Sequence, residues 1–128
     1  MNILTKEHAP QYKRDGITSS LLVAASTCNA RYLTTSLVEM SPGGKQHLHR
    51  HPTEQSYYII KGEGIMQVGE ETARVRPGNT VFIPSDTPHG LINDSTGELV
   101  YLSAGSPPFG NDAEMTLWPL GSARAESS

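Results

Sequence analysis

The sequence has little of what marks several large classes of protein. Cys28 is the only cysteine among the 128 residues, so no disulfide can form within the chain. No apolar run approaches the ~20 residues that a membrane-spanning helix needs. Lys and Arg form no basic patch of the kind that binds nucleic acid, and the opening MNILTKEHAP lacks the layout of a signal peptide. We therefore expect a cytoplasmic protein that binds neither nucleic acid nor a membrane.

Long helices are also excluded, because Gly and Pro interrupt the middle of the chain repeatedly. PGG lies at 42–44, KGEG at 61–64 and RPG at 76–78. The runs between them are short and rich in β-branched and aromatic residues, as strands are. They cover 32–40, 46–51, 56–60, 65–68, 72–75, 80–83, 89–93 and 98–103. Short strands joined by turns predict an all-β fold, either a closed barrel or a double sheet.

The length predicts a single domain over residues 1–128. The first ~25 residues are ambiguous, because the apolar run at 19–25 suits a strand or a short helix. We expect this region to be an extension or an edge strand of the barrel. The last ~6 residues are polar, and we expect them to be disordered.

Histidines supply the first functional signal. His47, His49 and His51 alternate, and side chains two residues apart share one face of a strand. A solvent-facing row of three histidines would be unusual, whereas a metal site at a barrel mouth accounts for it. His89, which follows a proline-rich turn and opens another predicted strand, could supply a further ligand.

The pattern around these histidines resembles the two conserved motifs of the cupin family. Gly43-x5-His49-x-His51-x3-Gln55-x6-Gly62 is similar to the first motif. The resemblance implies a double-stranded β-helix, the jelly-roll barrel of cupins, with one metal ion bound inside near one end. It also implies a homodimer.

The second motif is matched by Gly78-x5-Pro84-x-Asp86-x2-His89-x3-Asn93. Together the two motifs imply His49, His51, Gln55 and His89 as the metal ligands. The chain departs from the family pattern twice. Gln55 stands where a glutamate is usual, and Asp86 stands where a glycine is usual.

An alternative set of ligands would use His47, His49 and Glu54. It would lose the motif spacing to Gly43 and Gly62, and strand parity also favours Gln55 as the inward residue. We therefore expect Gln55 in the site and Glu54 outside it. His47 is expected at the rim of the site, with a surface position as the alternative.

Three imidazoles and a carboxamide carry no charge, so a divalent ion would keep its full charge and attract an anionic or chelating small molecule. Such ligands suit Mn, Fe, Ni, Zn, Co or Cu, and affinity alone does not choose among them. A reaction by proton transfer would also need a base, for which Tyr57, His47 and Glu54 are the candidates.

Two enzyme hypotheses follow from this site. The first is Lewis-acid-assisted isomerisation, cyclisation or lyase chemistry on a small oxygenated molecule. The second is a metal-dependent dioxygenase. A barrel that binds a small molecule without catalysis is a third hypothesis, because a fold alone does not define a function. We favour an enzyme of the first kind.

Overall fold

The computed structural model describes residues 1–108 and is built almost entirely of strands. A 3-10 helix at Lys6–His8 and the single-turn helix α1 (Ala25–Cys28) are the helices of this region. No helix among these residues is long and apolar enough to cross a bilayer. The strands are β1 (Gln11–Arg14), β2 (Ile17–Val23), β3 (Thr34–Met40), β4 (Lys45–His49), β5 (Glu54–Lys61), β6 (Gly64–Val68), β7 (Glu71–Val75), β8 (Thr80–Ile83), β9 (His89–Ile92) and β10 (Leu99–Ser106).

The strands form two antiparallel sheets that enclose one core. Sheet A has the order β1-β2-β3-β10-β5-β8, and sheet B has the order β4-β9-β6-β7. Strands that follow one another in the chain therefore often lie in different sheets, which is the double-stranded β-helix arrangement. The predicted all-β fold is confirmed.

Alternation along the strands decides which side chains enter the barrel. In β5, Gln55, Tyr57 and Ile59 are buried, whereas Tyr58 and Ile60 are exposed. The same alternation in other strands fills the interior with large apolar groups. The buried cluster comprises Ile17, Val38, Met40, Tyr57, Ile59, Met66, Val75, Ile83, Leu91, Leu99 and Tyr101.

The eight predicted strands are all present, and the N-terminal region adds two more. The ambiguous apolar run lies in β2, which pairs with β3, and β1 pairs with β2 at the edge of sheet A. Apart from Tyr12, the sequence Gln11–Arg14 is polar, so no apolar pattern placed an edge strand at these residues within the first ~25. The expected disorder of the last ~6 residues concerns a segment outside the described residues.

The sequences VGEET at 68–72 and NDSTG at 93–97 both predict tight hairpin turns, and the two predictions have different outcomes. The segment 68–72 joins β6 to β7, which pair as a hairpin. The segment 93–97 instead carries the chain from β9 in sheet B to β10 in sheet A, so the hairpin prediction was wrong there. Asn93 stabilises this crossing, because its Nδ2 donates to the carbonyls of Met40 at 3.0 Å and Gly97 at 2.8 Å.

Sheet A also presents large apolar side chains to its outer side. Tyr58, Ile60 and Phe82 are 49%, 47% and 58% exposed. Neighbouring β5 and β8 carry them, with Ser56 opposite Phe82 in the register. We call these three residues the outer patch.

Candidate metal centre

Three histidines from separate segments meet inside the barrel. His49 ends β4 and lies opposite His89, which begins β9, while His51 follows in the connection to β5. Their ring centroids are 4.3 Å apart for His49 and His89, 4.8 Å for His51 and His89, and 5.5 Å for His49 and His51. One nitrogen from each ring lies within 4.8 Å of the others. All three side chains are buried, so the cluster is internal.

Each imidazole is held by a backbone carbonyl at its Nδ1 atom. The three contacts, all 2.9 Å long, join His49 to the carbonyl of His47, His51 to that of Thr53 and His89 to that of Thr87. Since a carbonyl can only accept, Nδ1 must carry the hydrogen in each ring. The lone pair of a neutral ring then lies on Nε2, and this is how proteins fix the tautomer of metal-binding histidines.

Burial also keeps the rings of His49 and His89 uncharged. It lowers the pKa of His49 to about 4 and that of His89 to about 3, mainly because a charged imidazole would lose its hydration. The other imidazoles lower both values further by repulsion. At neutral pH the lone pairs are therefore available to a cation without release of a proton.

Gln55 lies on the inner face of β5 and is 5% exposed. Its Nε2 donates to Ser103 Oγ at 2.9 Å, while its Oε1 is buried and has no hydrogen-bond partner among the described residues. Glu54 is exposed. The amide oxygen is thus a buried acceptor that the protein itself does not use, whereas the carboxylate of Glu54 is in solvent.

The loop before β9 is hydrogen-bonded to His51, a histidine of the first motif. Asp86 has φ +55°, and its backbone N–H donates to the carbonyl of His51 at 2.7 Å. The left-handed backbone explains why the family pattern has glycine at this position, and aspartate is among the residues that tolerate it best. The substitution therefore keeps the loop conformation that precedes His89.

The expectation that three histidines share one face is not met for His47. Its side chain is half-exposed, and its Nε2 lies 3.6 Å from Asp15 Oδ2 at the surface. The pairing of β4 with β9 shifts register between Gln46 and His49. This irregularity turns Gln46 inward in place of His47, so strand parity fails at this point.

Tyr57 lies beside the histidines at the core. It is 1% exposed, its ring stacks on Tyr101 at 4.3 Å, and the ring centroid of His89 is 6.3 Å away. Its hydroxyl donates to Gln46 Oε1 at 3.1 Å. Burial raises its pKa to about 12, so the phenol is protonated at neutral pH.

An open cleft of about 470 Å³ lies beside the cluster, between β7 and β8. Two residues of its lining are Val68 and Val81, which pair in register with His89 and Tyr57. Its walls also include Glu71, Thr72 and Asn79, and none of the three histidines lines it. The sequence patterns alone gave no sign of this cleft.

A two-sheet β-helix with three inward histidines defines a cupin barrel. The cupin domain family matches residues 36–105, and the chain belongs to this family. Among curated proteins, the chain is 38% identical over 71 residues to the uncharacterized protein MJ1618 of Methanocaldococcus jannaschii. The matched segment covers 55% of this chain and 57% of that protein.

Two further similarities extend this result. The chain is 26% identical over 76 residues to the dimethylsulfoniopropionate lyase DddW of Ruegeria pomeroyi, with 59% of this chain and 50% of that protein covered. An RmlC-like cupin from Shewanella frigidimarina has the same fold, with a TM-score of 0.74, 18% identity, and 88% and 95% of the two chains covered. The matches span about half of the length of these curated relatives.

Proposed function

We propose that the protein binds one divalent transition-metal ion through His49, His51, His89 and Gln55, and acts as a metal-dependent enzyme on a small oxygenated molecule. The observation that carries the proposal is the fixed tautomer of the three buried imidazoles. Each donates its Nδ1 hydrogen to a carbonyl, so the lone pair that can bind a cation is on Nε2. The unused Oε1 of Gln55 supplies a fourth ligand of suitable chemistry.

The charge of the site favours an anionic or chelating ligand. No Asp, Glu, Lys or Arg is buried among residues 1–108, so no protein charge would compensate a divalent ion. A carboxylate or another oxygen anion would then be attracted to it. The similarity to a dimethylsulfoniopropionate lyase agrees with this expectation, because that substrate is by its name a propionate.

A bound ion of this kind would supply Lewis-acid chemistry, which supports isomerisation, cyclisation or elimination next to a carbonyl. We assign to Tyr57 the donation of its proton to the oxygen of the ligand on which negative charge develops, because it is the buried titratable group beside His89 and its phenol is protonated at neutral pH. Its hydrogen, which is directed to Gln46 in this structure, would turn to the ligand for this step and return to Tyr57 when the charge on that oxygen disappears. Tyr57 is 1% exposed, and a polar contact is stronger in such buried surroundings than in water.

The proposal can be tested by solvent deuterium exchange. Metal-loaded protein is incubated without oxygen in deuterated water with hydroxy-ketones, uronates and cyclic enones. We expect deuterium at the carbon next to the carbonyl of at least one compound. Tyr57→Phe should abolish this exchange, whereas Tyr58→Phe should preserve it, because Tyr58 points to the outer side of sheet A.

Two other results would contradict the proposal. Turnover that stops without oxygen, with oxygen atoms found in the product, would favour a dioxygenase. Binding of these compounds to the metal-loaded protein without any exchange or turnover would favour a non-catalytic small-molecule-binding barrel.

A further inference from the structure

Two buried polar groups next to the metal centre have no use in the proposal above. Gln46 Nε2 and the Tyr101 hydroxyl have no hydrogen-bond partner among residues 1–108. Gln46 is 6% exposed and Tyr101 is fully buried. Native proteins leave few such groups unsatisfied, so each one needs an explanation, such as a bound water or ion or a role at a functional site.

Both groups contact Tyr57, which connects them to the histidines. Gln46 Oε1 accepts the Tyr57 hydroxyl at 3.1 Å, and the Tyr101 ring stacks on Tyr57 at 4.3 Å. The Tyr101 hydroxyl lies near Tyr57 and Gln46 without a hydrogen bond of proper geometry to either. Tyr57 also lies near His89, with the two ring centroids 6.3 Å apart. The two unsatisfied groups are therefore one side chain away from the cluster.

The chemistry of these groups specifies what would satisfy them. The oxygen of the Gln46 amide is already used by Tyr57, so the remaining Nε2 can only donate. The Tyr101 hydroxyl can donate as well, so the missing group is an acceptor such as an oxygen atom. No cation is buried among the described residues. A neutral carbonyl or hydroxyl oxygen is therefore favoured over a second carboxylate, whose burial would cost more.

We propose that Gln46 and Tyr101 form an oxygen subsite, which binds a neutral carbonyl or hydroxyl oxygen of the ligand while its carboxylate binds at the histidine cluster. This inference rests on the proposed metal site. Gln55 and Tyr57 are successive inward residues of β5, so the two positions are separated by about one strand step of 6–7 Å. A short keto or hydroxy acid with a spacer of a few carbons fits this separation.

The test measures affinities of three probes for the Mn²⁺-loaded full chain by titration calorimetry. Oxalate reports on the metal alone, 4-oxopentanoate has a carboxylate and a distal ketone, and pentanoate has the same chain without the ketone. We expect 4-oxopentanoate to bind about tenfold more tightly than pentanoate, as two neutral hydrogen bonds provide. Tyr101→Phe and Gln46→Leu should reduce this ratio to within about twofold and leave oxalate binding unchanged.

Thermal unfolding of the metal-free Tyr101→Phe variant separates this role from a structural one. The hydroxyl has no protein partner, so its removal should leave Tm unchanged or raise it. A lower Tm with an unchanged probe ratio would overturn the oxygen subsite and indicate a structural water. If oxalate binds the parent but 4-oxopentanoate and pentanoate bind it with equal affinity, the oxygen subsite is overturned and the metal site is not. Failure of oxalate to bind the parent would overturn the metal site and the subsite with it.

Discussion

Gln55→Glu replaces a neutral amide by a carboxylate at a buried position. Gln55 is 5% exposed, and its one hydrogen bond within the described region is the donation to Ser103 Oγ. In the metal-free protein, the introduced carboxylate would face neutral groups without a compensating charge. With a divalent ion bound, the same carboxylate would face a cation. The substitution should therefore have opposite effects in the two states.

The size of the effect follows from the burial. Placing a carboxylate in such surroundings raises its pKa by about 2–3 units, and each unit corresponds to about 1.4 kcal/mol. At pH 7 the metal-free variant should lose about 2–4 kcal/mol of stability. For a domain of this size, Tm falls by about 3–5 °C per kcal/mol. Saturating metal should restore much of this loss, because ligation of the native state adds about 2.7 kcal/mol at 100 times Kd.

Differential scanning calorimetry with and without Mn²⁺ or Zn²⁺ measures both states. We expect Gln55→Glu to show a lower metal-free Tm and a larger rise on metal addition than the parent protein. Glu54→Gln is the matched control, because that residue is exposed, and it should resemble the parent. A metal response that is lost in Glu54→Gln and unchanged in Gln55→Glu would refute the reasoning.

Four further predictions follow from the described residues. Asn93→Ala should cost about 2–4 kcal/mol in urea unfolding, because it leaves the buried Met40 carbonyl without its donor and removes the hydrogen bonds to Gly97 and Ser95. Asp86→Val should cost about 1–2 kcal/mol at its positive φ, whereas Asp86→Gly should be neutral or stabilising. The metal-free protein should lose stability as the pH falls from 6.5 towards 4, because His49 and His89 bind protons in the unfolded chain at a higher pH than in the native state. Urea unfolding midpoints measured at pH 7.5 and pH 5 would check this. Light scattering should give a homodimer, with the outer patch of sheet A as a candidate contact surface, and a monomer mass would contradict it.

Much of the fold could be predicted because its signals are local. Gly and Pro marked the strand ends, and alternation put Gln55 and Tyr57 on one face of β5 and Tyr58 on the other. An extension or an edge strand was expected in the first ~25 residues, but β1 could not be located among them in this way, because its residues other than Tyr12 are polar and have little to bury. The crossing at 93–97 was also missed, because sheet membership depends on pairing between distant strands.

The candidate site was predictable only in part. The spacing of the histidines and Gln55 followed the family motifs, whereas Gln46 and Tyr101 belong to no motif. Gln46 faces inward because the β4–β9 pairing shifts register, whereas a uniform alternation would have placed His47 on the inner face. Irregular pairing arises from contacts between strands, so it cannot be predicted from the sequence pattern of one strand.

The most direct test of the central claim is the metal content of the purified protein, measured by elemental analysis without chelators during purification. We predict about one transition-metal ion per chain in the parent and in His8→Ala, since His8 is exposed and is not part of the cluster. His49→Ala and His89→Ala, checked for folding by circular dichroism, should contain almost none. Equal metal content in folded His89→Ala and in the parent would contradict the assignment of this cluster as a metal centre.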